Sequence, residues 1–563
     1  MVKIEQILSK AVSPARYAGG EFNVYPHKKD AALQFLLCFP DAYEIGMSSL
    51  GLKILYGLLN ERADTSCELC FAPLPDMGEL MQKNNIELFS LSTRKPAKQF
   101  DIIGFSLSYE LCYTNIPYML HLARIPLYAE KRGEDFPILL AGGVCTVNPA
   151  PFAPFFDIIA IGDGEEVLAE LADTYTANKK AGGSKRTFLE KAAKIKGIYV
   201  PNIGVKQGVI QRAVVEDLDN AFYPVKVPVA NTEAVHNRAM LELFRGCARG
   251  CRFCQASFIS RPVRHRSPQK LLTLAQGLIR ETGYEEMSLS ALSACDYPHL
   301  SELLQGLKPL VQKAGVRLSL PSTRVDSFKI SLSDYAMRKA SLTFAPEAGT
   351  QRLRDIIKKN ISEEDILSAA AAAFKQGYTA VKLYFMIGLP YETEQDTDGI
   401  AELVKKIKSL YKQHASNRKP LKLSVSASTF VPKPFTPFQW EKQIPHAEIL
   451  RIQAKLKNAL KPLGVKLSAH NAGASKIEAL LARGGQNLAA VIEDVYSGGG
   501  KFDGWTEYFD YARWQNSLAK FNLDAETATG EIPAANPLAW DNINVGITKD
   551  FLQKELARAR AVL

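Results

Sequence analysis

The stretch Leu241-Glu-Leu-Phe-Arg-Gly-Cys247-Ala-Arg-Gly-Cys251-Arg-Phe-Cys254 decides how this chain is read. Three cysteines spaced C-x3-C-x2-C follow a short apolar run and an Arg-Gly pair. One short loop carrying three thiolates can hold three corners of a [4Fe–4S] cube and leave the last iron open to a small molecule. Zinc is the other metal such a loop admits, but it wants a fourth ligand close by. The nearest, His265, stands in the run Arg264-His265-Arg266, which suits anions better.

The remaining cysteines fit no disulfide framework. Cys38, Cys112, Cys145 and Cys295 are scattered, and Cys67 and Cys70 form a lone C-x2-C with only a weak claim to zinc or redox chemistry. An exposed iron–sulfur cluster needs reducing surroundings, so a cytoplasmic protein is expected. A length of 563 residues implies two to four domains, and 47 % hydrophobic content is ample for large cores. Met1 to Val12 reads as a short amphipathic helix rather than a signal peptide. No apolar run approaches the ~20 residues of a membrane span. A net charge of +10 over this length is mildly basic. It permits a nucleic-acid partner without demanding one. There are no heptads and no tandem repeats.

Upstream of the cysteine loop, strand and helix patterns alternate. After an arm over residues 1–30, Ala32 to Phe39 is a buried-strand run, followed by a helical pattern from Met47 to Leu59. Ile102 to Ser108, Ile138 to Gly143 and Phe156 to Ile161 are further strands, the later ones ending in glycines. Such alternation predicts a parallel, doubly wound (Rossmann-like) sheet over 31–172, with ligands at its carboxyl edge. Residues 173–232 read as a linker or strap, with a flexible loop at Asn178–Arg186 and a small hairpin from Gly197 and Gly208.

Downstream, over 233–440, six strand–helix units predict a partial parallel (β/α)6 barrel of TIM type. Ser267-Pro268 and Ser362 mark helix starts. Chemistry in such barrels sits at the carboxyl ends of the strands. Residues 441–563 read as a helical C-terminal region rich in aromatics.

The segment from Leu241 to Trp440 resembles the radical SAM superfamily. The resemblance implies that Cys247, Cys251 and Cys254 ligate a [4Fe–4S] cluster. The open iron then chelates S-adenosylmethionine, whose reductive cleavage yields a 5′-deoxyadenosyl radical. It implies that Phe253 lies against the adenine and that Ser293 receives the methionine amino group. Ser322 and Arg324 after the third strand, and Glu347 and Arg352 after the fourth, would be further S-adenosylmethionine-binding residues, and a guanidinium there would pair with the methionine carboxylate. Gly388 and Glu392 would lie along the adenosine.

The N-terminal third resembles the cobalamin-binding domain that precedes many radical SAM cores. Asp41, Tyr43 and Gly46 stand where that domain carries D-x-H-x-x-G, and Tyr43 replaces the cobalt-ligating histidine. Ser106, Gly142, Gly143, Gly162 and Gly164 match its later loops. The whole chain resembles a family of radical SAM proteins with an N-terminal B12-binding-type domain and no established substrate. The implied function is S-adenosylmethionine cleavage with cobalamin for methyl transfer or radical rearrangement. The alternative is a cobalamin-free enzyme modifying RNA or protein. Either version implies a reducing partner such as flavodoxin or ferredoxin.

Overall fold

A computed structural model describes residues 4–203, 207–319, 342–415 and 419–562. Its first sheet is built from β1 (Leu33–Phe39), α1 (Leu50–Glu61), β2 (Thr65–Phe71), β3 (Ile102–Ser106), α2 (Asn115–Leu122), β4 (Ile138–Gly142), β5 (Ile158–Ala160), α3 (Glu165–Lys180) and β6 (Ile198–Tyr199). The strand order is β2-β1-β3-β4-β5-β6, with β1 to β5 parallel and β6 antiparallel to β5. Order reverses between β1 and β3, and that switch point opens a crevice at the carboxyl edge.

The near-continuous apolar run of β1 is buried on both faces, as a central parallel strand requires. Phe35, Leu37 and Phe39 join α1 and α3 in one core, while Leu36 and Cys38 join the other. Cys67 and Cys70 lie three apart on β2 and so point to opposite faces, each into a different core. They cannot share a metal or a disulfide.

Residues 173–232 depart from the linker expectation. Helix α3 runs on to Lys180, because no breaker occurs before Gly182, whose φ is +66°. A second helix, Lys185–Ala192, replaces the expected flexible loop. The expected hairpin does not form either. β6 closes the first sheet, and β7 (Ile210–Gln211) pairs in parallel with a strand from near the chain's end.

The second α/β unit holds β8 (Ala239–Glu242), β9 (Phe244–Arg245), β10 (Arg264–His265), α4 (Pro268–Thr282), β11 (Glu286–Ser290), α5 (Leu300–Ala314) and β12 (Arg317–Ser319). Past the undescribed segment come β13 (Leu342–Glu347), α6 (Gln351–Ile356), α7 (Glu363–Lys375), β14 (Ala380–Ile387), α8 (Glu394–His414) and β15 (Lys422–Thr429). These strands form two parallel sheets, β12-β11-β8 and β13-β14-β15, the latter extended by a further strand from the C-terminal region, and β9 pairs antiparallel with β10; the parallel sheets match a TIM-like partial barrel. The helix starts follow local chemistry. Ser267 accepts from the Lys270 N–H ahead of α4, and Ser362 with Asp365 makes a capping box on α7.

The C-terminal region is mainly helical: α9 (His446–Leu460), α10 (Ala472–Arg483), α11 (Leu488–Ser497), α12 (Tyr511–Lys520) and α13 (Lys549–Arg560). It also supplies β16 (Lys466–Ala469), parallel to β15, and β17 (Ile543–Asn544), the partner of β7. Neither strand is long enough to show a period of two. Among the described residues no helix is long and apolar enough to cross a membrane.

Packing at the start of the chain is tight enough to test. A Cβ on Gly46 would lie 2.2 Å from Phe71 Cε1 and 3.2 Å from Phe39 Cβ. Gly46→Ala is expected to cost about 1–3 kcal/mol through overpacking. A lowered thermal midpoint with unchanged secondary structure in circular dichroism would show it.

Candidate active site

The cysteine loop leaves β9 through Gly246, at φ +92°. A Cβ there would meet Pro262 O at 2.7 Å and Val263 Cα at 2.9 Å, so only glycine lets the loop pass the chain returning into β10. Gly250, at φ +72°, makes the next bend. Cys251 is buried; Cys247 and Cys254 are half-buried. Cys254 N–H donates to Cys251 O at 3.0 Å. Arg249 Nε donates to Asp296 Oδ2 at 2.9 Å and ties the loop to the end of β11. Among the described residues no three His, Cys, Asp or Glu side chains gather as around one ion. His265, the fourth ligand a zinc site would need, packs its ring 5.2 Å from Phe244 and 6.0 Å from Tyr297.

The residues assigned by resemblance to S-adenosylmethionine divide in two. Phe253 is partly buried within the cysteine loop. Ser293, just past β11, is buried, and its Oγ has no hydrogen-bond partner. A buried hydroxyl left unpaired costs about 1–3 kcal/mol, so this atom suits a ligand amine. Ser322 and Arg324 lie outside the described residues. Glu347 ends β13 at φ +66° and pairs with Lys359 Nζ at 3.0 Å. Arg352 donates to Tyr391 O at 3.0 Å and pairs with Asp396, so part of its fork already holds the loop after β14.

Gly388 and Glu392 close on each other, the Gly388 N–H donating to the Glu392 carboxyl. Gly388 has φ +70°, and a Cβ there would come within 2.6 Å of Ile444. Burial pushes the Glu392 carboxyl up to about 8, only partly offset by the Gly388 N–H.

The cobalamin-type residues divide as well. Tyr43 is buried. Its hydroxyl donates to Glu21 Oε1 at 3.0 Å and accepts from Asn231 N–H at 2.8 Å. Asp41 accepts from Trp505 Nε1 at 2.8 Å and from the Tyr109 hydroxyl. Asp41, Tyr43 and Gly46 therefore serve packing between parts of the chain. Ser106, Gly142, Gly143, Gly162 and Gly164 instead line a cavity of about 330 Å³ at the carboxyl edge of the first sheet. Its apolar side is Phe35, Leu37, Leu140 and Ala160 beneath α1 and α3; its charged rim is Asp163, Glu165, Glu242 and Arg245. A Cβ on Gly142 would meet nothing within 4 Å.

That rim is a bridge between the two α/β units. Arg245 reaches Glu165 at 2.6 Å and Glu242 at 2.9 Å, and Arg264 reaches Asp163 at 2.5 Å. Arg266 is fully buried against Glu242 at 3.0 Å. The run Arg264-His265-Arg266 is therefore neither a solvated basic surface nor a vacant anion site. A second bridge joins the same two units. Lys433, in the loop after β15, pairs with Glu110 after β3 and with Glu478 on α10, both at 2.7 Å. Pro434 O accepts from Gln255 Nε2 at 3.2 Å, one residue past Cys254. Every partner from the two sheets sits at or just beyond a strand's carboxyl end, except Arg264 and Arg266 of the returning hairpin. The carboxyl edges of the two units thus face each other. Sequence reading missed both bridges; a lysine between prolines in Val431-Pro-Lys433-Pro was the available signal.

Fold and site define a two-unit α/β protein with a three-thiol loop at the mouth of a partial barrel. The model for radical SAM proteins, N-terminal, matches residues 51–201, and that for the radical SAM superfamily matches residues 241–404. The uncharacterized protein MJ0966 of Methanocaldococcus jannaschii is 30 % identical over 463 residues, 81 % of this chain and 90 % of that protein. The anaerobic magnesium-protoporphyrin IX monomethyl ester cyclase of Cereibacter sphaeroides is 24 % identical over 257 residues, 43 % of this chain and 40 % of that protein. Among solved structures, the cobalamin-dependent S-adenosylmethionine radical enzyme OxsB with aqua-cobalamin and S-adenosylmethionine bound is similar in fold. Its TM-score is 0.50 at 12 % identity, over 94 % of this chain and 79 % of that one. The chain belongs to the radical SAM superfamily and is an enzyme.

Two residues offer direct tests. Lys433→Ala strands two carboxylates between parts of the chain and is expected to destabilise by about 3–5 kcal/mol, nearer the lower figure because Glu478 is partly exposed. Denaturant titration measures it. The Glu392 carboxyl is raised in the folded state, so its contribution is complete below about pH 4.5 and is lost as pH rises through about 8. Glu392→Gln is expected to flatten the pH dependence of the thermal midpoint across that window.

Proposed function

We propose that the chain holds a [4Fe–4S] cluster through Cys247, Cys251 and Cys254 and cleaves S-adenosylmethionine at the barrel mouth. We further propose that cobalamin binds on the facing edge of the first sheet, for methyl transfer or radical rearrangement on a substrate held between them. The observation that carries this reading is the meeting of the two carboxyl edges across Lys433–Glu110 and Arg245–Glu165.

The donor set fits the first cofactor. Three thiols on one glycine-bent loop leave one iron of a cube without a protein ligand. When bound there, the cluster supplies the electron that breaks the carbon–sulfur bond of S-adenosylmethionine. Residues of this chain position that molecule. The unpartnered Ser293 Oγ accepts from its amino group, and Phe253 offers an apolar face. The Gly388–Glu392 turn shapes the wall after β14 without spending a charge on the ligand, since a carboxyl raised to about 8 is largely neutral at pH 7. The electron comes from an external one-electron donor of flavodoxin or ferredoxin type.

The first sheet supports the second cofactor by shape. Gly142 leaves open space at the strand end, and the apolar slot bounded by Phe35, Leu37 and Leu140 suits the benzimidazole end of a cobalamin. Cobalamin, when bound, supplies a carrier for a methyl group or a partner for radical rearrangement. The Tyr43 hydroxyl is committed to Glu21 and Asn231, so the loop after β1 offers cobalt no ligand.

The test is anaerobic purification from a cobalamin-supplied host, with iron and corrinoid measured on the same sample. Close to one cluster and one corrinoid per chain are expected. Cys251→Ala is expected to lose the iron and all reductant-dependent 5′-deoxyadenosine while keeping the corrinoid. A wild-type chain that holds iron and makes 5′-deoxyadenosine but retains no corrinoid would end the cobalamin half of the reading.

A further inference from the structure

We infer that Glu555, on the last helix, is a positioning residue that sets the electrostatic environment, and so the reduction potential, of the cluster held by the cysteine loop. The inference rests on the cluster reading above and extends it to a part of the chain outside both α/β units.

Glu555 is 1 % exposed on α13. Its Oε2 lies 3.3 Å from Arg252 Nε and 3.1 Å from Lys358 Nζ, and its Oε1 lies 2.5 Å from Arg558. Arg252 stands between Cys251 and Phe253. The same guanidinium donates to Ile356 O at 2.6 Å and Asp355 O at 3.3 Å, and the Arg252 N–H donates to Ile357 O at 3.0 Å. The middle of the cysteine loop is thus clamped to the end of α6 by Arg252, and Glu555 holds the clamp from beneath. Phe551, one turn earlier on α13, packs its ring 6.5 Å from Phe258, which follows the loop.

Charge makes this more than a packing contact. Arg249, Arg252, Arg261 and Lys358 all border the loop; Arg261 Nε donates to Cys247 O at 3.4 Å. Asp296 answers Arg249, and Glu555 answers both Arg252 and Lys358. Burial opposes ionisation of Glu555, but hydrogen bonds from Arg558 and Lys358 and the charges around it hold its carboxyl below the usual range. The carboxylate is therefore a fixed negative charge one side chain removed from a cluster ligand. It is shielded from solvent, where fields are weakly screened. Iron–sulfur potentials follow net local charge and hydrogen bonding as well as cluster type. Removing this charge stabilises the more negative, reduced cluster and should raise its potential.

The test compares wild type with Glu555→Gln, which keeps the shape and removes the charge. Iron and sulfide content, thermal midpoint and an electron paramagnetic resonance-monitored redox titration are read on each. The expected result is wild-type iron content with a midpoint potential shifted upward. An unshifted potential in a variant of wild-type iron content overturns the inference. Should Glu555→Gln fail to retain iron, Arg558→Ala supplies the reading. That side chain is 68 % exposed, and removing its positive charge is expected to shift the potential downward. No shift there overturns the inference. A wild-type chain that takes up no iron overturns the cluster reading itself, and this inference with it.

Discussion

Lys433 ends in a place where three parts of the chain must agree. Its ammonium group lies between a carboxylate from the first sheet and one from the C-terminal region, while its backbone belongs to the barrel. Taking those charges out of water is costly, and a buried ion pair seldom repays the whole desolvation cost in stability. What it secures is geometry. A lysine that leaves Glu110 or Glu478 strands a charge, so the units are held at one separation rather than sliding over an apolar seam. The Arg245–Glu165 and Arg264–Asp163 pairs act in the same sense. The glycine-lined cavity opens on the Arg245–Glu165 pair, and Gln255, just past the cysteine loop, bonds Pro434 beside Lys433.

That arrangement occupies many of the arginines and glutamates near the cavity with one another. Arg264 and Arg266 stand in a run that suits anions when read along the chain, yet each is paired within the protein, Arg264 with Asp163 and Arg266 with Glu242. The glycine shelf of the first sheet and the Ser293 hydroxyl, whose Oγ has no hydrogen-bond partner, are not used in this way. The division suits a radical enzyme. Such chemistry needs a closed, oriented chamber more than it needs acids and bases, since the cofactors carry the reactive electrons.

The C-terminal region is fastened to both α/β units. Trp505 binds Asp41 at the end of β1, Glu478 meets Lys433, and Glu555 lies under the cysteine loop. Both edges of the chamber are therefore fastened by residues that come after the barrel in the chain. Tyr43 shows the same principle in reverse. Its place in the motif suggests a cofactor contact, but its hydroxyl is consumed by the N-terminal arm and the strap.

The sequence by itself determined much that depends on neighbours along the chain. Buried parallel strands show as unbroken apolar runs, the starts of α4 and α7 as serine caps, and the three-thiol loop as cysteines spaced C-x3-C-x2-C. It could not show β16 or β17, too short to carry a period, nor the continuation of α3 through a lysine-rich stretch. Only the tertiary structure decided which charges are free and which are spent. A carboxylate's role is set by what lies within about 3–4 Å of it, and Glu555 is brought to Arg252 from 303 residues away. Local pattern carries no record of such a contact. It exists because two sheets and a terminal helix pack in one way, and that packing brings the carboxyl edges of two separately legible folds together.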